Sequence, residues 1–140
     1  MEFGLHEKLP IYAGGLGVLA GDYLKAAKDL QLPVIGLGIL WRQDYTEQYI
    51  DDHGNLYDVY PTYNYEFLHD TGVMVSVWIG GEEVKLKIWQ TDQFDNAPLY
   101  LLDAGKPGMK NGKFTARLYG GGSEDRVIQE MILGIGGIRA

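Results

Sequence analysis

The sequence predicts an α/β fold with an antiparallel β region inserted into it. Three observations carry that expectation. A glycine-rich turn, Gly14-Gly15-Leu16-Gly17, opens a stripe of apolar residues at helical spacing. The stripe stops at a proline and gives way to a nearly unbroken apolar run, residues 34–40, which suits a strand buried on both faces of a parallel sheet. Further on, Val84, Leu86 and Ile88 alternate with Lys85 and Lys87, as in a half-exposed antiparallel strand.

Taken in order, residues 1–5 are short and apolar apart from Glu2 and read as the end of a strand. Residues 6–13 hold Pro10 and read as a loop. Leu16, Leu19, Ala20, Tyr23, Leu24, Ala27 and Leu30 then form one helix face, with Asp22, Lys25, Lys28 and Asp29 largely opposite. Gln31-Leu32-Pro33 closes the helix, because the residue before proline avoids the α region. Residues 1–40 therefore read as strand, glycine-rich loop, helix and strand, with a right-handed crossover. Residues 41–104 read as a β-rich region. One hairpin is expected from residues 45–50 and 56–60 around Asp51-Asp52-His53-Gly54-Asn55. A second joins residues 73–79 and 84–89 through Gly80-Gly81-Glu82-Glu83, and residues 99–102 make another strand. Residues 105–113, rich in glycine and lysine, read as a mobile surface loop.

Residues 118–140 carry a terminal helix. Ser123 is placed to cap it, and Glu124 and Asp125 suit its positive end. Val127, Ile128, Met131, Ile132 and Ile135 make the expected buried stripe. Gly134, Gly136 and Gly137 are poor helix formers and point to close packing against another backbone. The first strand lacks a beginning and the last helix lacks a cap, so both ends of the sequence read as cut.

Composition narrows the function classes. At 140 residues, 46% hydrophobic and 22% charged, the chain is one ordinary globular domain in size and make-up. A net charge of −7 repels phosphate backbones and argues against nucleic-acid partners, although a local phosphate site built from backbone amides remains open. The absence of cysteine excludes disulfides, thiolate metal sites and a thiol nucleophile. No apolar run is long enough for a membrane helix and no basic, then apolar, leader is visible, so a cytoplasmic protein without a membrane partner is expected.

Among chemistry-bearing residues the Gly14-Gly15-Leu16-Gly17 turn stands first. Glycines permit positive φ and close approach, and the first amides of a helix have no internal acceptor, so a phosphate fits there. A plain tight turn explains the same residues equally well. The turn is neither Gly-x-Gly-x-x-Gly nor a P-loop. Glu2, set in an apolar segment, is either an exposed strand end or a buried carboxylate in need of a partner. His6, His53 and His69 are scattered, with no metal-ligand spacing, and no metal site is expected. Asp51 and Asp52 read as turn-capping, and Ser123 has no nucleophile's partners. The tyrosines and phenylalanine of residues 57–67 could stack on sugar rings, but packing is the ordinary reading.

Several blocks of the chain closely resemble α-glucan phosphorylases, the glycogen and maltodextrin phosphorylases, and most of all their shorter bacterial and archaeal type. They are Glu2-Phe3-Gly4-Leu5, Leu9-Pro10-Ile11-Tyr12, Gly14 through Asp22, Leu24-Lys25-Ala26-Ala27 and Leu32 through Gly38. Leu118-Tyr119-Gly120-Gly121, Glu124, Arg126, Gln129-Glu130 and Ile132 through Ala140 continue the likeness. The resemblance implies part of the N-terminal, Rossmann-like domain of a GT-B glycosyltransferase. It implies phosphorolysis of an α-1,4-glucan by inorganic phosphate to glucose 1-phosphate, with pyridoxal 5′-phosphate as cofactor and a homo-oligomeric full-length protein. Gly14 and Gly15 fall on phosphate-facing glycines, Gly15 toward the cofactor phosphate and Gly14 toward substrate. Leu16 falls beside the glucose, and Glu2 matches an acidic residue that could support the loop. The cofactor lysine is expected outside these residues, so turnover by them alone is not expected, and neither are fully paired sheet edges. Gly122 and Ser123 depart from the family pattern, where a single acidic residue follows Gly120-Gly121.

Two other readings make different demands. A glucan synthase would carry a lysine at position 12 and an aspartate at position 18, where this chain has Tyr12 and Val18. A non-catalytic maltodextrin-binding module would need neither cofactor nor phosphate.

Overall fold

A computed structural model describes residues 2–43 and 45–140. The elements are α1 (Gly15–Asp29), β1 (Gly36–Ile39), β2 (Glu47–Ile50), β3 (Leu56–Val59), β4 (His69–Ile79), β5 (Glu82–Thr91), β6 (Leu99–Asp103) and α2 (Ser123–Met131). The last helix runs through a π-helical turn, Ile132–Gly136, into α3 (Gly137–Arg139). Four strands form one mixed sheet in the order β1-β6-β5-β4, with β1 and β6 parallel and the other pairs antiparallel. β2 and β3 make a separate antiparallel pair. The expected α/β class and the inserted antiparallel region are both present.

Helices flank the sheet on both faces. A Cβ placed on Gly36 would meet Leu24 of α1, so α1 covers one face. A Cβ on Gly136 would lie 2.7 Å from Leu86 and 2.9 Å from Leu102, and one on Gly137 would strike Leu37, so the terminal helix covers the other face. Gly136 and Gly137 thus permit the close packing that the sequence implied, against strand side chains rather than backbone. Gly134 faces open space and does not share that role. Leu24, Leu86, Leu99, Leu101, Leu102 and Ile132 are fully buried between these layers.

Local chemistry accounts for the turns. Gly80 and Gly81 both take positive φ, +58° and +84°, as the mirror-image turn of a two-residue hairpin requires. The Asp51 carboxylate accepts from the backbone N–H of His53 and Asn55 and from the Asn55 side chain, closing the β2–β3 loop. Arg42, just past β1, reaches Asp103 at the end of β6 in a buried pair of 2.5 Å. Asp103 also accepts from Trp89 Nε1 at 2.9 Å and from the Gly105 N–H at 2.9 Å, so this buried charge has the donors it needs.

Five sequence expectations are corrected. Residues 2–5 pair with no strand; the Gly4 N–H donates instead to the Gly17 carbonyl of α1 at 2.8 Å. β1 lies at a sheet edge and pairs in parallel with β6 alone, while β6–β5 and β5–β4 are antiparallel, so the sheet is mixed rather than wholly parallel. The stripe on α1 is split: Gly17, Gly21, Leu24 and Ala27 are buried, whereas Leu16, Leu19, Tyr23 and Leu30 are exposed. The terminal helix is capped by Gly122, whose N–H donates to the Asp125 carboxylate at 2.8 Å, so Ser123 is already helical. On that helix Ile132 is buried, but Val127 and Ile135 are exposed.

Candidate functional site

The site begins where the N-terminal segment crosses α1. Two helix glycines make the crossing possible. A Cβ on Gly21 would fall 2.2 Å from the Gly4 carbonyl oxygen, and one on Gly17 would fall 2.5 Å from the Tyr12 Cβ. The crossing buries Phe3 and Leu5 and brings Glu2 beneath the glycine turn. Glu2 is a buried carboxylate with partners: it accepts from the Ala13 N–H at 2.6 Å and from the Tyr119 hydroxyl at 2.5 Å. The Glu2 hydrogen bond, with burial and the Glu2 charge behind it, raises the Tyr119 phenol above its ordinary value, while Arg126 pulls it down. Tyr119 itself holds φ at +57°, an uncommon conformation for a residue with a Cβ, next to the glycines that turn the chain into α2.

Gly14 and Gly15 do not follow the reading of glycines needed for positive φ. Gly14 is extended, with φ −160°, and Gly15 is the first residue of α1. A Cβ on either would meet nothing within 4 Å among the described residues. No side chain caps α1. The Gly14 carbonyl accepts from Gly17 and Val18, while the N–H groups of Gly15 and Leu16, in the first turn, have no intrahelical acceptor.

These amides face a cavity of 560 Å³ bounded by Glu2, Ala13, Gly14, Gly15, Leu16, Tyr45, Tyr119 and Arg126. Tyr45 and Tyr119 meet edge to face at 6.0 Å and form one wall. Arg126, on α2, brings a cation to the same space and forms no ion pair among the described residues. The positive end of α1 and a guanidinium thus share one concave space, an arrangement that attracts an anion. Leu16 adds an exposed apolar side chain at its rim.

All four site residues singled out in the sequence, Glu2, Gly14, Gly15 and Leu16, border this cavity. The histidines lie elsewhere, His6 stacked on Phe94 at 4.8 Å, His53 in the β2–β3 loop and His69 opening β4. Tyr65 is in the core, its hydroxyl donating to the Trp41 carbonyl at 2.8 Å, in keeping with the packing reading of the aromatic stretch. Tyr45, Tyr119 and Arg126 were not singled out as site residues. More than a hundred residues separate Glu2 from Tyr119 and Arg126, and no spacing rule spans that gap; the family likeness at both was the only signal.

No protein-family model matches the chain. It is 40% identical to the glycogen phosphorylase of Mycobacterium tuberculosis, an alignment covering all of this chain and 17% of that protein. It is 36% identical to the maltodextrin phosphorylase of Thermococcus litoralis, over 99% of this chain and 18% of the relative. The glycogen phosphorylase of Aquifex aeolicus is 34% identical over 96% of this chain and 21% of its own length. The chain therefore spans only 17–21% of the length of these curated relatives.

Proposed function

Because the chain is related along its whole length to glycogen and maltodextrin phosphorylases, we propose that it supplies the anion-holding glycine turn of an α-1,4-glucan phosphorylase. The observation that carries this reading is the open space over Gly14 and Gly15. Packing explains Gly17 and Gly21, but among the described residues no contact and no positive φ explains the other two. A phosphate oxygen approaching the Gly15 and Leu16 amides does.

In this reading the N–H groups of Gly15 and Leu16 and the Arg126 guanidinium offset phosphate charge beside the glucosyl unit, strengthening as charge develops in the transition state. Leu16 packs on the sugar. Glu2 fixes the turn through the Ala13 N–H, and Tyr119 holds Glu2 in place. The residues present also fit the phosphate of pyridoxal 5′-phosphate, since an anion is what the first amides of a helix and a guanidinium without an ion pair among the described residues accept. Among the described residues no lysine borders the cavity, in keeping with a cofactor lysine outside these 140 residues. When bound, the cofactor supplies a phosphate group for proton transfer. The assembled enzyme is a cytoplasmic GT-B homo-oligomer acting on α-1,4-glucan and inorganic phosphate, and these 140 residues do not turn over alone. Tyr12 packs against Gly17, so position 12 offers no cation of the kind a glucan synthase would place there.

The test is a titration of the isotopically labelled chain with inorganic phosphate, followed by amide resonances. The Gly15 and Leu16 amides are expected to shift and saturate, and Arg126→Gln to weaken the response. Unmoved amides at the start of α1 would count against the anion site.

A further inference from the structure

The β2–β3 pair forms a sheet of its own. β3 is exposed along its whole length, and so are the last three residues of β2. A two-stranded pair by itself is marginal in water, so half-exposed rings on it add little to stability and ask for another use. Its two faces differ, because cross-strand partners share a face. Tyr49 lies opposite Tyr57, with Glu47 opposite Val59 on the same side; Gln48 opposite Asp58 and Ile50 opposite Leu56 occupy the other. The Tyr49 and Tyr57 rings are 6.0 Å apart, inclined by 28°, and each keeps about half of its surface in solvent, 47% and 49%. The Tyr49 hydroxyl donates to Glu47 at 2.6 Å, which fixes that carboxylate beside the rings with acceptor sites to spare.

The hairpin starts at the rim of the anion cavity. Tyr45, two residues before β2, is one of that cavity's walls. Four residues of chain reach at most about 14 Å, so Tyr49 stands within that distance of the wall. Charge narrows the occupant. Residues 45–60 carry four carboxylates, Glu47, Asp51, Asp52 and Asp58, and no lysine or arginine. Such a surface repels anions and a second copy of itself, but not a neutral ligand. Half-exposed rings flanked by fixed acceptors offer a neutral sugar chain what it binds by: an aromatic surface for its C–H faces and oxygens for its hydroxyl groups.

We propose that the Tyr49–Tyr57 face of the hairpin is a remote subsite for the α-1,4-glucan, on which sugar units outside the cavity stack. This rests on the reading of the cavity as the place where phosphate and the terminal glucosyl unit meet. A polymer held there by its end has to leave across the rim, and the tyrosine face lies beside that exit. Glu47 accepts from the sugar hydroxyls, and the aliphatic pair Ile50 and Leu56, on the opposite face, takes no part. A basic polypeptide would answer the carboxylates, but nothing in such a partner accounts for the face beginning at the cavity wall.

The test is a titration of the labelled chain with maltoheptaose, followed at the ring resonances of Tyr49 and Tyr57. Both rings are expected to shift, to saturate and to show nuclear Overhauser contacts to sugar C–H protons, with little change between low and high salt. Tyr57→Leu should weaken binding about threefold or more, and Ile50→Ser should leave it unchanged, with the Asn55 amide reporting that the hairpin persists in each. Rings that ignore maltoheptaose overturn the proposal. So does a response to oligolysine in its place, which would make the occupant a basic polypeptide, or a dimer of the chain, by light scattering, that already covers the rings. In the Mycobacterium tuberculosis glycogen phosphorylase carrying these 140 residues, Tyr57→Leu should raise KM for long maltodextrin about threefold more than for maltotriose; an equal effect on both overturns the remote subsite. The phosphate titration reads the cavity separately. Gly15 and Leu16 amides that respond to phosphate beside rings that ignore maltoheptaose leave the anion site standing and remove this one; silent amides beside responding rings count against the cavity reading and not against the sugar surface.

Discussion

Glu2 and Tyr119 form a pair whose sign with pH can be worked out. The phenol is raised above its ordinary value of 10.0 by the bond to Glu2. Stability from this pair is therefore complete below that ordinary value and lost as pH rises through and beyond it. Alkaline titration followed at the phenolate absorbance should show Tyr119 among the late-titrating tyrosines, beside Tyr49, which its hydrogen bond to Glu47 also raises, and Tyr119→Phe should remove one tyrosine from that late phase; an unchanged late phase would mean that the pair does not form. The glycines divide at the same scale. Gly21→Ala pushes a Cβ to 2.2 Å from the Gly4 oxygen and should destabilise by about 1–3 kcal/mol in urea unfolding. Gly15→Ala meets open space in a helical position and should stabilise by about 0.4–1 kcal/mol. Equal and opposite results would reverse the assignment of packing to one glycine and ligand approach to the other. The sequence singled out Gly14 and Gly15 for positive φ or for close approach, and the structure removes the first of these reasons. Both have ordinary backbone angles, and among the described residues a Cβ on either meets open space.

The helix start and the first hairpin are the elements that carry further predictions. Gly14 is a weak N-cap, lacking the side-chain oxygen that serine or aspartate would turn on the first amides. Gly14→Asp should raise stability by roughly 0.5–1 kcal/mol while weakening phosphate binding, because the new carboxylate takes the amides for itself. In the β2–β3 loop, hydrogen bonds from Asn55, chiefly, hold the Asp51 carboxyl below its ordinary value of 3.8. The order it gives is present above that ordinary value and is lost as pH falls through the lower, folded one. Asn55 amide exchange should accelerate there, and Asp51→Ala should make it fast at neutral pH. The sequence foretold both hairpins because glycine and aspartate declare turns locally. It foretold α1 but not which half of its stripe is buried. Helical period identifies a face; Gly17 and Gly21, which period counts as neutral, decide where the N-terminal segment crosses. That crossing also explains why residues 2–5 form no strand.

Across the whole molecule, two helices sandwich a mixed sheet and set a glycine turn, a buried carboxylate and an arginine around one cavity. The α/β class was legible because buried and half-buried strands differ in pattern. The position of β1 at an edge was not, since an apolar run shows only that both faces are covered and says nothing of its neighbours. Arg126 joins the cavity through the path of the terminal helix over the sheet, which no local pattern encodes. The account as a whole rests on the turn being kept open for an anion. Its most direct test is phosphate-dependent release of glucose 1-phosphate from maltodextrin by the Mycobacterium tuberculosis glycogen phosphorylase carrying these 140 residues, loaded with pyridoxal 5′-phosphate, beside its Gly15→Val variant. The account predicts release by the first and a sharp loss in the second with folding intact; release by a folded Gly15→Val protein at an undiminished rate would contradict it.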